Sequence, residues 1–252
     1  MAGLRSSAVI FAIILTLWVP RLASADIGLI CTLQGELQEA LGHMKTEQRF
    51  HEAERDFYRG IMEGKRVVLV RSPMGKVNNA ITAQLLASRF HVDRIVSIGF
   101  AGAIDPSLEV GSVVVSERTL QHDFGVTKPY GDVWELPPTL GKPAEAEAGG
   151  WASSRGYAYG TILTGDRFVA AKEKRDWLRK KFSASAVDMG AAAIQEVCIQ
   201  NGIPCLFIRI ISDKAGSDAR DHFDRSAQSV NYKSVEVLKE FLGHSNLPRR
   251  SR

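Results

Sequence analysis

From residue 27 onward the sequence alternates short, almost wholly apolar segments with segments that have helical spacing. The apolar segments are predicted strands, at residues 27–32, 66–71, 94–99, 111–119, 157–164 and 205–211. The predicted helices cover residues 34–43, 171–182, 190–201 and 229–242, with one more that opens at Gly75-Lys76. Strands that are apolar on both faces are typical of a sheet covered by helices on both sides. The sequence therefore predicts a single α/β domain, with three α/β/α layers and a mixed, largely parallel central sheet.

Two details of this prediction concern less regular stretches. Residues 123–156 are rich in proline and glycine and are predicted as long loops. The helix after Gly75 is predicted to bury an apolar face. That face consists of Val77, Ile81, Leu85 and Leu86.

The first 25 residues have the pattern of a secretory signal peptide. Arg5 precedes an apolar run at residues 8–19, and Ala23-Ser24-Ala25 forms a small-residue cleavage pattern. The apolar run is too short to span a bilayer comfortably. We therefore predict an exported, periplasmic protein with a signal peptide at residues 1–25 and a domain at residues 26–252. An uncleaved N-terminal anchor is the alternative, and no membrane association is expected after cleavage.

Charge and cysteine content exclude several functional classes. The formal net charge of +4 falls to +2 when Arg5 and Arg21 leave with the signal peptide, and basic residues do not interleave with aromatics. Nucleic-acid binding is therefore not expected. Cys31, Cys198 and Cys205 all lie in apolar segments and are predicted to be buried free thiols, although an exported protein could oxidise a pair. Because no Cys/His spacing resembles a metal site, we predict no metal and no cofactor.

Candidate chemistry lies where the predicted strands end, since ligands of such folds bind beyond the carboxyl ends of strands. Asp213 follows a buried strand, where partial desolvation raises a carboxyl pKa and suits a general acid. A helix-capping aspartate would look the same. The small residues 99–102 read as a turn that a ligand could approach closely. Phe168 follows another turn and could stack on a flat ring or belong to the core.

Taken in order, these segments resemble the purine nucleoside phosphorylase/uridine phosphorylase superfamily, in particular its 5′-methylthioadenosine/S-adenosylhomocysteine nucleosidases. The resemblance extends from residue 27 to about residue 242 and is most specific in GAIDPSLEVGSVVVS and RIISDKAG. It implies a nucleoside phosphorylase-like fold and hydrolysis of the N-glycosidic bond of a purine nucleoside.

The resemblance also implies roles for individual residues. Asp213 would donate a proton to purine N7, with Ser212 and Arg209 orienting it, and Glu36 would hold and activate the attacking water. Phe168 would stack on the purine. The remaining implied contacts are the backbone of Val169 at the purine edge, Met189 against the ribose, and Phe100, Ala101 and Gly102 along the sugar.

Hydrolysis is favoured over phosphorolysis by one position of the resemblance. The phosphorolytic branches carry an arginine where this chain has Ser97, and Arg94 lies at the start of the same strand. Without a fixed cation there is little to hold phosphate, and the Glu36 carboxylate would repel it. A phosphorolytic nucleoside phosphorylase remains an alternative.

Two departures from the family pattern bear on activity. Where the family has Glu-Met-Glu, with the second glutamate gripping the ribose hydroxyls, this chain has Asp188-Met189-Gly190. Phe100 replaces a residue that is usually small and polar. The chain could therefore be a nucleosidase with a rearranged sugar site, a weakened enzyme, or an exported purine- or nucleoside-binding protein. Retention of both Glu36 and Asp213 favours an enzyme, with salvage of purine nucleosides, including methionine salvage, as its role.

The expected partners are a small-molecule purine nucleoside and a second copy of the chain. The resemblance implies a homodimer in which a loop of one subunit closes the site of the other. Residues 122–136, which include Tyr130 and Trp134, are the candidate loop, and an ordinary lid is the alternative.

Overall fold

The computed structural model describes residues 26–128, 131–134 and 146–244. The predicted signal peptide and Tyr130 lie outside these ranges. The strands are β1 (Ile27–Cys31), β2 (Lys45–Glu52), β3 (Arg55–Met62), β4 (Lys65–Arg71), β5 (Arg94–Ala103), β6 (Val113–Gln121), β7 (Gly125–Lys128), β8 (Gly131–Trp134), β9 (Ala158–Thr164), β10 (Ala186–Asp188) and β11 (Cys205–Asp213). The helices are α1 (Gln34–Gly42), α2 (Lys76–Ser88), α3 (Ala146–Ser154), α4 (Lys172–Phe182), α5 (Ala191–Asn201) and α6 (Ala219–His244).

Nine strands form one mixed sheet in the order β10-β9-β6-β11-β5-β1-β4-β3-β2. The four strands β4, β1, β5 and β11 run parallel, as do β6, β9 and β10, whereas β11 pairs with β6 in antiparallel register. β10 also pairs antiparallel with β5, through Ala186 opposite Ala103, and so closes part of the sheet into a ring. β7 and β8 form a separate two-stranded sheet.

Helices cover both faces of the sheet. One core cluster joins alternate strand residues such as Leu29 and Ile208 to side chains of α1, α3 and α6, for example Leu238. A second cluster joins the opposite strand face, for example Ile30, to α2 and α5, for example Leu86. Alternate side chains of a strand point to opposite faces, which is why one apolar segment supplies both clusters. The predicted three-layer domain with a mixed, largely parallel sheet is confirmed.

Several local predictions need correction. Residues 123–156, predicted as loops, contain β7, β8 and α3 in their described part. Residues 99–102 form no turn but continue β5 to Ala103, because β11 pairs alongside them as far as Asp213. α6 begins at Ala219, ten residues earlier than the predicted 229.

The buried face of α2 also differs from the prediction. Leu86 is buried as predicted, whereas Val77 is 71% exposed and Ile81 41% exposed. The face that packs on the sheet consists of Asn79, Thr82, Ala83 and Leu86. The predicted and the observed faces both have helical spacing. The buried face was not recognised in the sequence because it includes the polar residues Asn79 and Thr82.

The three cysteines are free thiols, of which Cys31 and Cys198 are buried. Burial raises the pKa of the Cys31 thiol well above its ordinary value. None of the helices in the described ranges is long and apolar enough to cross a bilayer.

Candidate active site

A cleft opens beyond the carboxyl ends of β1, β5 and β11. This is the end of the sheet at which the sequence predicted ligand binding. It encloses about 690 Å³ of empty space, including solvent at its open mouth. Its wall consists of Thr32, Leu33, Met74, Asn79, Phe100, Ala101, Gly102, Arg167, Phe168, Val169, Val187, Asp188, Met189, Gly190, Arg209, Ser212, Asp213 and Phe223. All predicted site residues except Glu36 therefore lie in this wall.

Asp213 ends β11 and is held by its immediate neighbours. Its side chain is almost fully buried, Ser212 Oγ donates to its Oδ2 at 2.8 Å, and the backbone N–H of Ala215 donates to its Oδ1 at 2.8 Å. Burial raises the pKa of Asp213, against the lowering effect of these two hydrogen bonds. The residue can thus keep its proton at a pH where an ordinary aspartate has lost it, as a general acid requires.

Gly102 allows the Asp213 carboxyl to approach the neighbouring strand. A Cβ atom at position 102 would lie 2.9 Å from Asp213 Oδ1 and 3.2 Å from the Ala215 Cβ. The close approach places the carboxyl against the backbone of β5 at the wall of the cleft. A glycine is needed here for space.

Glu36 lies directly behind the wall and does not line the cleft. It sits in the first turn of α1, fully buried, where Oε2 accepts from the backbone N–H of Thr32 at 2.9 Å and of Leu33 at 3.0 Å. Ser234 Oγ donates to Oε1 at 2.8 Å. Burial raises the pKa of Glu36, and the hydrogen bonds and the charge of Arg209 act in the opposite direction. Its predicted role in holding water stays a prediction.

Arg209 forms a buried ion pair, but with Asp188 and not with Asp213. Its Nε lies 2.9 Å from Asp188 Oδ2, and each side chain is 3% exposed. Its Nη atoms donate to the Ser97 carbonyl at 2.9 Å, to the Ile208 carbonyl at 3.0 Å and to Ser97 Oγ at 3.3 Å. The predicted orienting contact with Asp213 is therefore not seen. Arg209 instead joins β11 to β10 and β5 beneath the cleft.

Asp188 completes this arrangement and was not predicted. Its Oδ1 accepts from Thr164 Oγ1 at 2.5 Å and from the backbone N–H of Gly190 at 3.1 Å, and its Oδ2 from that of Ala191 at 3.1 Å. The carboxylate thus caps the start of α5 while neutralising Arg209. An aspartate shortly before a predicted helix was the available signal.

Three phenylalanines form an aromatic side of the cleft. The ring of Phe223 stands edge-on to Phe100, with centroids 5.9 Å apart, and to Phe168, with centroids 6.1 Å apart. Phe168 is 38% exposed, so one of these rings is open to a ligand. Flat apolar surfaces of this kind suit a heteroaromatic base. Phe223 was missed because the start of α6 was predicted too late.

Ser97, the position that bears on phosphate binding, lies within the sheet and not in the wall. Its hydroxyl accepts from Arg209, and both Ser97 and Arg94 are almost fully buried. The cationic side chains of the described cleft wall are Arg167 and Arg209, the latter already paired with Asp188. In the part of the chain that the structure describes, no three His, Cys, Asp or Glu residues are placed to hold a metal.

Comparison with known proteins agrees with this architecture. Residues 26–243 match the family described as the phosphorylase superfamily. A 5′-methylthioadenosine/S-adenosylhomocysteine nucleosidase of Mycobacterium bovis is 35% identical over 249 residues, covering 87% of this chain and 97% of that protein.

Solved structures give the same result. The corresponding nucleosidase from Neisseria meningitidis, in complex with methylthio-immucillin-A, has a TM-score of 0.80 at 31% identity and covers 87% of this chain and 99% of that one. The futalosine hydrolase of Helicobacter pylori strain 26695 has a TM-score of 0.81 at 25% identity, covering 88% and 99%. The chain therefore belongs to the phosphorylase superfamily and is a nucleosidase-type member of it.

Proposed function

We propose that this protein hydrolyses the N-glycosidic bond of a purine nucleoside of the methylthioadenosine or adenosylhomocysteine type. The observation that carries the proposal is the Asp213 carboxyl, buried with a raised pKa in the wall of a cleft that also presents an aromatic surface. The similarity to 5′-methylthioadenosine/S-adenosylhomocysteine nucleosidases supports the substrate class.

The reaction needs a proton at the base and a nucleophile at the sugar. Asp213 gives its proton to purine N7 as the bond between C1′ and N9 breaks, and the bonding electron pair leaves with the base. A water oxygen bonds to C1′, and the proton that this water loses passes to the Glu36 carboxylate. Acid and base on opposite sides of a glycosidic bond match a transition state with oxocarbenium character.

Glu36 has to act from just behind the wall. Its carboxylate is anchored by the backbone N–H groups of Thr32 and Leu33, and both of these residues line the cleft. The proposed role requires that two-residue segment to move, so that the carboxylate reaches a water in the cleft.

Water is the proposed nucleophile in place of phosphate. Ser97 supplies no cation, and Arg209 is neutralised by Asp188. Arg167 is the cationic side chain of the described wall that is left for an anion, and one exposed arginine is a weak phosphate site.

The test is base release by purified residues 26–252 from methylthioadenosine, adenosylhomocysteine, adenosine and inosine, each with and without phosphate. Futalosine joins the panel because of the likeness to futalosine hydrolase. We expect phosphate-independent release, fastest with a 5′-thio substituent. Release that requires phosphate would replace hydrolysis by phosphorolysis. Binding without release from any of the five would favour the exported nucleoside-binding protein.

We also propose that the protein is a homodimer. Val77 and Ile81 lie one helical turn apart on α2 and are exposed, and Met74, just before α2, is half exposed and lines the cleft. Phe124 and Val126, within the predicted interface loop, are exposed as well. The Trp134 side chain lies outside the described part of the structure. Exposed apolar side chains of this kind mark interaction surfaces.

Light scattering on a size-exclusion column tests the dimer. The wild-type protein should have twice the mass of the chain, and the double variant V77E/I81E should have the mass of one chain. Exchange of the exposed Lys180 and Lys181 of α4 for glutamate is the matched control and should leave the dimer intact. A wild-type protein that runs as a monomer would contradict the proposal.

A further inference from the structure

Asn79 is a buried polar side chain in the cleft that the proposed mechanism does not use. It lies on the inner face of α2, where its neighbours Ala83 and Leu86 belong to the core, and it is only 4% exposed. A polar group this buried is normally hydrogen-bonded or serves a ligand. Asn79 also lines the cleft, where its side chain can meet a ligand.

The amide of Asn79 is held in one orientation. Its Nδ2 donates to the Gly75 carbonyl at 2.9 Å and approaches the Pro73 carbonyl at 3.4 Å. Because carbonyls only accept, the nitrogen end of the amide has to face them. No residue in the described ranges donates to Oδ1. The oxygen is therefore left as an acceptor for a group that enters the cleft.

Asn79 occupies the space in which a side chain at position 190 would lie. A Cβ atom on Gly190 would come within 2.6 Å of both Cγ and Nδ2 of Asn79, and within 2.9 Å of Oδ1. The backbone φ of Gly190 is −157°, which lies outside the left-handed region that favours glycine. Asn79 and a side chain at position 190 therefore exclude each other.

The carboxylate beside Gly190 at this end of the cleft is already engaged. Both Asp188 oxygens receive hydrogen bonds, from Thr164, Gly190, Ala191 and Arg209. Met189 offers no strong acceptor on its side chain. A hydroxyl donor placed beside Met189 and Gly190 would therefore meet Asn79 Oδ1 as its acceptor.

We propose that Asn79 is a specificity residue whose Oδ1 accepts a hydrogen bond from a sugar hydroxyl of the bound nucleoside. Asn79 does this in the space that a side chain at position 190 would otherwise fill. The inference rests on the proposed function for its substrate class. Because the amide is neutral, it binds the hydroxyl more weakly than a carboxylate would. The site should still prefer a ribonucleoside to its deoxy analogues.

The test compares adenosine with 2′-deoxyadenosine and 3′-deoxyadenosine in wild-type protein and Asn79→Ala. Loss of one hydrogen bond should lower kcat/KM for adenosine by about tenfold. The value for the deoxy analogue that lacks the bonded hydroxyl should change little. Asn78→Ala, which removes the neighbouring amide on α2, is the matched control and should keep the wild-type preference. An equal fall for all three nucleosides in Asn79→Ala would overturn the inference.

A double exchange tests the steric half of the inference without relying on hydroxyl preference. Gly190→Glu alone forces its side chain against Asn79 and should be strongly impaired. N79A/G190E frees the space, and its kcat/KM should exceed that of Gly190→Glu by at least about tenfold. Equal activities of Gly190→Glu and N79A/G190E would contradict the steric exclusion between Asn79 and a side chain at position 190. Thermal melts of each variant check that it is folded.

Calorimetric binding separates this inference from the proposed function. If no nucleoside is cleaved, the function fails, but the ratio of Kd values for adenosine and its deoxy analogues still reports on Asn79. A wild-type preference that Asn79→Ala removes would support the inference. Equal Kd values, or no binding of any of the three, would overturn it.

Discussion

Two buried carboxyls, Asp213 and Glu36, carry the proposed chemistry at the scale of single residues. Burial raises the pKa of both, yet Asp213 faces the cleft whereas Glu36 is enclosed by hydrogen bonds just behind it. The sequence pointed to Asp213 because it follows a buried strand. The enclosure of Glu36 could not be foreseen, since it depends on Ser234, which is distant in the sequence.

Asp213→Asn removes the transferable proton while keeping the size of the side chain. We expect kcat to fall by about 10²–10⁴-fold, which is the usual contribution of a general acid. Nucleoside binding measured by calorimetry should persist. Asp221→Asn, an exposed change on α6, is the control and should keep wild-type kcat. A kcat for Asp213→Asn within a few fold of wild type would contradict the assignment.

Glu36 should make folding stability fall as pH rises. Its pKa in the folded protein is raised above the ordinary 4.5, so the unfolded chain loses this proton first. From about pH 4.5 up to the raised pKa, ionisation of Glu36 therefore favours the unfolded state, and the free energy of unfolding falls. Above the raised pKa, this contribution to stability is fully lost.

In Glu36→Gln this contribution is absent. Relative to wild type, the variant should gain stability as the pH is raised from 4 to 7, and it should also lose hydrolytic activity. Melting temperatures across this range measure the effect, with Glu39→Gln on the same helix as the control. Parallel pH curves for wild type and Glu36→Gln would show that the Glu36 pKa is not raised.

At the scale of elements, the buried pair Arg209–Asp188 ties β11 to the short strand β10. Asp188→Asn leaves the arginine charge buried without its counter-charge, which typically costs roughly 3–5 kcal/mol of unfolding free energy. Urea unfolding measures this. Asp105→Asn breaks a more exposed pair with Arg179 and should cost less. Equal losses of unfolding free energy in the two variants would mean that burial of the Arg209–Asp188 pair adds nothing to the cost of breaking it.

The elements that the sequence predicted are those with a strong apolar signal. β1, β4, β9 and α5 appear close to their predicted bounds because most of their residues form a continuous buried run. β2 and β3 were not predicted, since β2 is exposed along almost its whole length and carries no alternation. β10 was not predicted either, because it has only three residues.

The candidate site was predictable to the extent that it follows strand ends. Asp213 and Ser212 were found this way, whereas Phe168 was suggested by its place after a turn. Asn79 was missed because a polar residue on the buried face of α2 contradicts the hydrophobic pattern. Such a conflict between pattern and burial is itself typical of functional positions.

At the scale of the whole molecule, Asp26 joins the segment before β1 to β3 and β4. Asp26 Oδ1 accepts from Arg66 Nε at 3.1 Å, and Asp26 Oδ2 forms an ion pair with Arg59 Nε at 3.0 Å. The small-residue pattern Ala23-Ser24-Ala25 directly before Asp26 is what supports the proposal that residues 1–25 are a removable signal peptide. N-terminal sequencing of protein from the periplasm should begin at Asp26. An intact N-terminus on protein retained at the membrane would contradict cleavage and favour the anchor.

The central claim is that the chain hydrolyses a nucleoside with water, and the identity of the sugar product tests it most directly. Purified residues 26–252 are incubated with methylthioadenosine in phosphate buffer, and the products are followed by phosphorus NMR and by chromatography of the sugar. The account predicts free methylthioribose and adenine in equal amounts, with no sugar phosphate signal. Formation of a sugar 1-phosphate in step with adenine would contradict it.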